Sequence, residues 1–483
     1  MSEIEFFGHI IDGEEVESAD GARFDTINPW TRQKWGEVAQ ASEVDADRAV
    51  ASARRAFDEG PWPRMGRAAR AAAIHKLADL MEERAQDLAR MDSTDMGKPF
   101  EQAMHDVARS VWNFRFFADH QRDHTGEVMP MDSGHHTYVE YGPAGVVAAI
   151  SPWNFPLMMA SWKIAPALAW GNTCIIKPAE DTPASVTLLG RLAIEAGFPP
   201  GVLNVLNGYG VPAGSSLTGD DRVDRVTFTG ESGTGKIIMA AAASHLAPVS
   251  LELGGKGANI VFADADLDNA VYWAVESIFR NAGQVCLAGS RLFVQAEIYD
   301  EFLSRFKAAA EALTIGDPLV AGTKFSCLAS QEHFDKVASY VNSVGDFGGT
   351  VVTGGVAEDG SWMVKPTIIT DLPLDAPQYC QEIFGPVVVV NKFETETEVV
   401  ALANDTRYGL NAMLFTENLS RAHRVSSNLK AGTVWVNCFF IRDLRTPFGG
   451  VGDSGVGREG GNFSREFFTE PKAVVMQINR TSS

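Results

Sequence analysis

Hydrophobic and polar positions change period along the chain. Residues 1–40 alternate in short apolar–polar runs broken by turn signals such as Asn28-Pro29-Trp30. Three helical patterns follow. Ser42 stands as an N-cap with Asp45 three residues on, which predicts a helix to about Glu59. Residues 66–91 form an alanine-rich amphipathic stretch, and a third pattern runs from about Phe100 to His120. Residues 121–142 are polar and extended, which predicts an excursion from the domain.

From Gly145 short apolar runs alternate with helical ones. Residues 146–150, 173–177, 203–206 and 223–228 read as strands, and 248–253 adds another. This is the pattern of βαβ units building a parallel sheet. A second α/β region repeats it. Its strands are predicted at 258–262, 291–295, 387–393, 413–416 and 433–436, and its helices at 267–280, 299–313, 332–344 and 419–429. Residues 448–461 form a glycine-rich loop, and the last residues return to a strand pattern. Residues 141–162 carry no charge and are long enough to span a bilayer, but Pro143, Pro152 and Pro156 make a strand–loop–helix unit the better reading.

At 483 residues the chain exceeds one compact core and predicts about three domains. A net charge of −21 argues against nucleic acid or an anionic membrane surface as partner. The five cysteines include no C-x-x-C pair, which predicts a reduced, cytoplasmic protein without a zinc framework and no metal site. The N-terminal residues show no basic segment followed by an apolar run, so no signal peptide is expected.

Several segments carry candidate chemistry. Cys286 lies in Phe-Arg-Asn-Ala-Gly-Gln-Val-Cys-Leu-Ala-Gly-Ser at 279–290, flanked by small residues that let a substrate and backbone N–H groups approach its sulfur. Such a thiol serves as a nucleophile when its proton is removed; taken alone, it reads more readily as a structural cysteine. The run Val-Thr-Phe-Thr-Gly at 226–230, followed by Glu231 and Gly233 to Gly235, carries a strand through a glycine turn into a helix, a setting for a phosphate. It is one residue from a P-loop, but Ile237 occupies the position of the Mg²⁺-binding Ser or Thr, which argues against ATP hydrolysis. Literal G-x-G-x-x-G matches occur only within 450–460, where no strand leads in, and no G-x-S-x-G supports a serine hydrolase. Lys177 and Glu180 end a strand, fit to contact ribose or phosphate, or merely a solvated pair. Asn154 between Pro152 and Pro156 is a rigid amide donor suited to an oxyanion, or an ordinary turn residue. Glu252 between two leucines is a carboxyl whose apolar setting would raise its pKa and suit it as a base, or a strand residue facing solvent.

Taken together, residues 152–156, 177–180, 228–235, 252–256, 283–286, Glu-Ile-Phe-Gly-Pro at 382–386 and Pro-Phe-Gly-Gly at 447–450 resemble, in order and spacing, the aldehyde dehydrogenase superfamily, over essentially the whole chain. The resemblance implies an α/β fold. A Rossmann-like parallel-sheet NAD domain would comprise 1–122 and 144–253, an α/β catalytic domain 254–465, and a small β oligomerisation flap 123–143 with 466–483. It implies NAD as cofactor, with NADP disfavoured by Glu180. NAD would be held by Ile150, Pro152, Trp153, Lys177, Glu180, Gly208, Phe228, Gly230, Glu231, Gly235, Leu253, Glu382, Phe384 and Phe448. Cys286 would attack the aldehyde, Asn154 and the Cys286 N–H would hold the oxyanion, and Glu252 would activate the hydrolytic water. Lys163 and Glu459 would relay protons or position Glu252. An idle structural relative is disfavoured by the intact Cys286, Glu252 and Asn154.

The segment Arg-Asp-Leu-Arg-Thr-Pro-Phe at 442–448 is similar to the subgroup that oxidises ring-cleavage semialdehydes such as 2-hydroxymuconic semialdehyde. Arginine recognises carboxylates bidentately, so Arg442, Arg445 and, on the early helix, Arg109 are expected to contact a substrate carboxylate; Arg445 has Asp443 or Glu459 as an alternative partner. Phe155, Trp162, Phe439 and Phe440 would wall a flat substrate. An enzyme for uncharged aromatic, aliphatic or betaine-type aldehydes is the alternative. The flap implies a homodimer or homotetramer.

Overall fold

Every residue of Val146–Ile150 and of Thr173–Lys177 is buried, as expected for parallel strands covered on both faces. In the computed structural model, which describes residues 4–478, these strands lie at the middle of an eight-stranded sheet. Leu203–Val205, Thr173–Lys177, Val146–Ile150, Arg225–Thr229 and Val249–Glu252 run parallel, in that spatial order. The chain winds outward from Val146–Ile150 in one direction and then returns to build the other side. The strand order therefore reverses between Val146–Ile150 and Arg225–Thr229, and a crevice opens beyond their carboxyl ends. Antiparallel strands His9–Ile11 and Glu14–Val16 close one edge, and Gly455–Val456 closes the other. The glycine-rich tail is therefore not loop throughout.

Six parallel strands form most of a second sheet, in the order Val364–Thr370, Val387–Phe393, Arg291–Gln295, Ala258–Val261, Asn411–Phe415 and Thr433–Val436. Thr350–Val356 pairs antiparallel with Val364–Thr370, in a stretch to which the sequence pattern assigned no element. The largest apolar core packs around this sheet, and a second packs helices against the first.

The helix at Glu43–Asp58 begins with the expected capping box of Ser42 and Asp45. The alanine-rich stretch, expected as one helix over 66–91, is two, Arg67–Glu83 and Ala85–Met96, broken at Arg84. Gly97-Lys98-Pro99 then turns the chain into Phe100–Asp123. The uncharged stretch resolves as strand, loop and the helix Pro156–Ala169, and among the described residues no helix is long and apolar enough to cross a membrane. The excursion forms a three-stranded sheet in which Thr469–Gln477 pairs along all of His135–Pro143, with Glu127–Met129 beyond. Residues 479–483 of the proposed flap, and the first three residues of the N-terminal reading, lie outside the described residues.

Candidate active site

The helix Leu267–Phe279 ends in a turn in which Asn281, Ala282 and Gly283 all take positive φ, at 52°, 53° and 72°. For Asn and Ala this left-handed backbone costs about 1 kcal/mol or more each, strain of a kind that clusters at functional sites. Gly283 has no substitute, because a Cβ there would stand 2.2 Å from the Gly385 carbonyl oxygen. Gln284 staples the turn: its amide Nε2 donates to Asn281 O at 3.0 Å and its Oε1 accepts from Ala329 N–H at 3.0 Å. The turn delivers Cys286, half-buried, to the meeting point of two cavities.

The first cavity, of about 320 Å³, is predominantly apolar and runs from Cys286 between the helices Phe100–Asp123 and Pro156–Ala169. The second, of about 330 Å³, lies at the carboxyl ends of Val146–Ile150 and Arg225–Thr229, where the strand order reverses. Thr229, Leu253, Phe155 and Met159 line both.

Glu252 faces the first cavity, 2% exposed, and neither of its carboxylate oxygens has a partner. Burial first, and then the neighbouring Glu459 carboxylate, hold its pKa well above the usual carboxyl range; Lys163, Arg442 and Arg458 pull the other way. Lys163 is fully buried, donating to Thr227 Oγ1 at 2.9 Å and to Glu459 Oε1 at 3.1 Å. The remaining Glu459 oxygen, Oε2, has no partner. Glu252, Lys163 and Glu459 thus form one buried electrostatic group. Burial likewise pushes the Cys286 thiol up to about 12, helped by the charges of Glu382 and Glu252, so the sulfur at rest carries its proton. Asn154 lines the second cavity beside Cys286, its amide Nδ2 donating to Gln284 O at 2.8 Å.

The second cavity has the features of a nucleotide site. It occupies the crevice at the reversal of strand order. Pro152, Trp153, Gly230, Glu231, Leu253, Glu382 and Phe384 line it. Glu382 accepts from Gly255 N–H at 2.8 Å, and a Cβ on Gly254 would fall 2.0 Å from its Oε2, so the glycine pair makes the space this carboxylate uses. Desolvation lifts Glu382 to about 7. Glu231 caps the helix Ser232–Ala243, accepting from Gly233 and Thr234 N–H at 2.8 and 3.1 Å, so at rest the helix N-terminus is already occupied.

Other anticipated cofactor residues lie outside this cavity. Lys177 and Glu180 form an ion pair at 3.2 Å, and the Lys177 stem packs with Ile150 against Gly214. Phe228 lies beneath Gly230, Gly208 abuts Ala41, and Gly235 abuts Leu253. Phe448 is a correction: it lines the first cavity, not the second, because the strand pair around Glu459 and Phe448 folds it against Arg442.

Sequence reasoning missed Asp181 and His333, which line the second cavity. His333 shares a hydrogen bond with the Phe384 carbonyl at 2.8 Å and packs on Trp153, and burial lowers its pKa to about 4. Asp181 adjoins the Lys177–Glu180 segment and could have been flagged from it; His333 comes from the distant helix Gln331–Asn342 and left no local signal.

Arg442 and Arg109 both line the first cavity, as do Phe155, Trp162, Phe440 and Arg280. The Arg442 guanidinium lies 4.0 Å from the Trp162 ring centroid and 3.9 Å from that of Phe448, and its Nε and Nη2 are buried without a hydrogen-bond partner. Burial, with the Arg109 charge, lowers it to about 9, which leaves it cationic at neutral pH. Arg109 stacks over Trp112 at 4.6 Å. Arg445 is the second correction. It is exposed and grips Asp443 through Nε at 2.9 Å and Nη2 at 2.6 Å, outside the cavity, because the turn at 443–446 points it to solvent. Phe439 is buried against Trp435 rather than lining the cavity.

The arrangement is that of an α/β protein in which one cysteine joins two cavities. Residues 16–474 match the aldehyde dehydrogenase family, and the chain belongs to that family: it is an oxidoreductase acting on aldehydes. The chain is 46% identical to a 2-hydroxymuconic semialdehyde dehydrogenase from Pseudomonas sp. (strain CF600), over 97% of this chain and 99% of that one. A solved aldehyde dehydrogenase from Bacillus cereus, as its NAD⁺ complex, superposes with a TM-score of 0.96 at 41% identity, covering 98% of this chain and 97% of that one. Betaine aldehyde dehydrogenase from Staphylococcus aureus with NAD⁺ reaches the same TM-score at 38% identity, covering 98% and 96%.

Proposed function

We propose that this enzyme oxidises a carboxylate-bearing semialdehyde of the 2-hydroxymuconic type to the dicarboxylic acid, with NAD as cofactor. The observation that carries the reading is Arg442, a half-buried cation between two aromatic rings on the wall of the cavity that ends at Cys286, with two of its guanidinium nitrogens buried without a partner. A buried, unpaired guanidinium is costly unless a ligand completes it, and a carboxylate is its natural complement. Arg109 adds a second positive charge to the same cavity, and Trp162, Phe155 and Phe440 offer flat faces to a conjugated chain. An aldehyde without an acidic group would use none of this charge.

Within that reading Cys286 adds to the aldehyde carbon, its proton passing to water. The Asn154 amide and the Cys286 N–H hold the oxyanion. When bound in the second cavity, NAD supplies the acceptor for the hydride that leaves the carbon attached to Cys286. Glu382, Phe384 and Trp153 would hold the nicotinamide end, and Lys177 and Glu180 the adenosine ribose, where the Glu180 carboxylate would disfavour a 2′-phosphate. Glu252, with Lys163 and Glu459 adjusting its charge, draws a proton from the water that releases the acid from the thioester.

The sheet of Thr469–Gln477 and His135–Pro143 is proposed to assemble a homodimer or homotetramer, and the five free cysteines suit a cytoplasmic setting. The test is Arg442→Met and Arg109→Met. Each should lower kcat/KM for 2-hydroxymuconic semialdehyde about 10- to 100-fold, the size of one lost charge-assisted contact, and leave benzaldehyde nearly unchanged. Equal losses on both aldehydes would refute the carboxylate reading.

A further inference from the structure

Lys98 occupies the corner between two helices. Gly97, at φ 73°, ends Ala85–Met96, and Pro99 opens Phe100–Asp123, so the residue between them is thrown inward. It is 1% exposed. Its ammonium donates to Asp106 Oδ2 at 2.6 Å and to the backbone carbonyl of Asn154 at 2.8 Å, and lies 3.8 Å from the Phe155 ring centroid. Asp106 itself lines the cavity that ends at Cys286.

An ion pair that only joined two turns of neighbouring helices would have no need of Asn154. Here the ammonium reaches past its carboxylate to the one peptide that carries both Asn154 and Phe155. The same Asn154 carbonyl accepts from Asn281 Nδ2 at 2.9 Å, and the Asn154 amide donates to Gln284 O at 2.8 Å. Asn281 and Gln284 belong to the strained turn that presents Cys286. Asn154 is therefore held from the nucleophile's side by that turn and from the helical side by Lys98. Buried charge-assisted hydrogen bonds of this length hold their partners more firmly than neutral ones do.

We propose that Lys98, held by Asp106, is a positioning residue for the reaction: it fixes the peptide at 154–155 and so aims the Asn154 amide at the oxyanion formed on the Cys286-bound carbon. The inference rests on the oxyanion role of Asn154 given above. It deepens that role by assigning the support that makes the donor rigid, since a donor that must reorganise during reaction loses most of its advantage.

A double-mutant cycle on the full-length enzyme tests it. Asn154→Ala should lower kcat about 100-fold, the order expected for one lost oxyanion donor. Lys98→Met should lower kcat about 10- to 100-fold with little change in KM. In the Asn154→Ala background, Lys98→Met should cost less than about twofold further, because a residue acting only through Asn154 has nothing left to position. Multiplicative losses in the double variant, or a KM effect in place of the kcat effect, would overturn the inference and leave the oxyanion role intact. An Asn154→Ala enzyme with undiminished kcat would overturn both. If Lys98→Met does not fold, Lys98→Met/Asp106→Leu removes both buried charges and takes the place of Lys98→Met in the same cycle, measured against the parent enzyme, with the same outcomes deciding.

Discussion

Glu252 and Cys286 carry shifts in the same direction for the same reason. Each is removed from water beside negative neighbours, so each rests in its neutral form. A neutral Glu252 cannot accept a proton, so the hydrolytic step should speed up as pH rises above the ordinary carboxyl range and its carboxylate forms. Glu252→Gln should keep a stoichiometric burst of NADH, lose steady-state turnover about 100-fold or more, and lose that rising limb; a variant with unchanged steady-state rate would remove Glu252 from hydrolysis. At this scale the sequence was informative where chemistry sits in a local motif. Cys286, Glu252, Asn154 and Glu382, each singled out from such a motif, stand at the cavities. Arg445 and Arg442 were indistinguishable in the string, because only the turn at 443–446 decides which guanidinium meets Asp443 and which turns inward. His333 and the reach of Lys98 to Asn154 were not legible, since the bonded groups lie 51 and 56 residues away.

Among the elements, the strand–turn–helix units were readable because fully apolar runs of five residues between turn signals have few alternatives. The break at Arg84 was not readable: Arg84 and its flanks are good helix formers, and tertiary packing of Ala85–Met96 overrides local propensity there. The antiparallel pair Thr350–Val356 and Val364–Thr370 escaped notice because its outer strand is largely exposed and interrupted by Gly354 and Gly355. The turn before Cys286 is the element with the least tolerance. Gly283→Ala should destabilise the protein by about 2 kcal/mol or more, combining a positive φ with a backbone collision, and should slow thiol alkylation of Cys286. A thermal midpoint and alkylation rate equal to those of the parent would contradict this account of the turn.

For the whole molecule, the two large sheets meet at Cys286, where both cavities open, and the sheet of Thr469–Gln477 and His135–Pro143 stands apart with a long antiparallel pair. The existence of these three of the four sheets could be anticipated from the change in period along the chain. Their meeting could not, because it depends on contacts between residues 102 and 281 or 154 and 284. If Thr469–Gln477 serves assembly, the full-length chain sediments as a dimer or tetramer and a chain ending at Phe468 as a monomer; a monomeric full-length chain would contradict the assignment. The central claim concerns which aldehyde reaches the thiol. It is tested most directly by NADH formation from NAD⁺ with 2-hydroxymuconic semialdehyde beside benzaldehyde at equal enzyme. The Arg442 guanidinium, unpartnered at Nε and Nη2, predicts a kcat/KM at least about 100-fold larger for the semialdehyde. Equal or better turnover of benzaldehyde would contradict it.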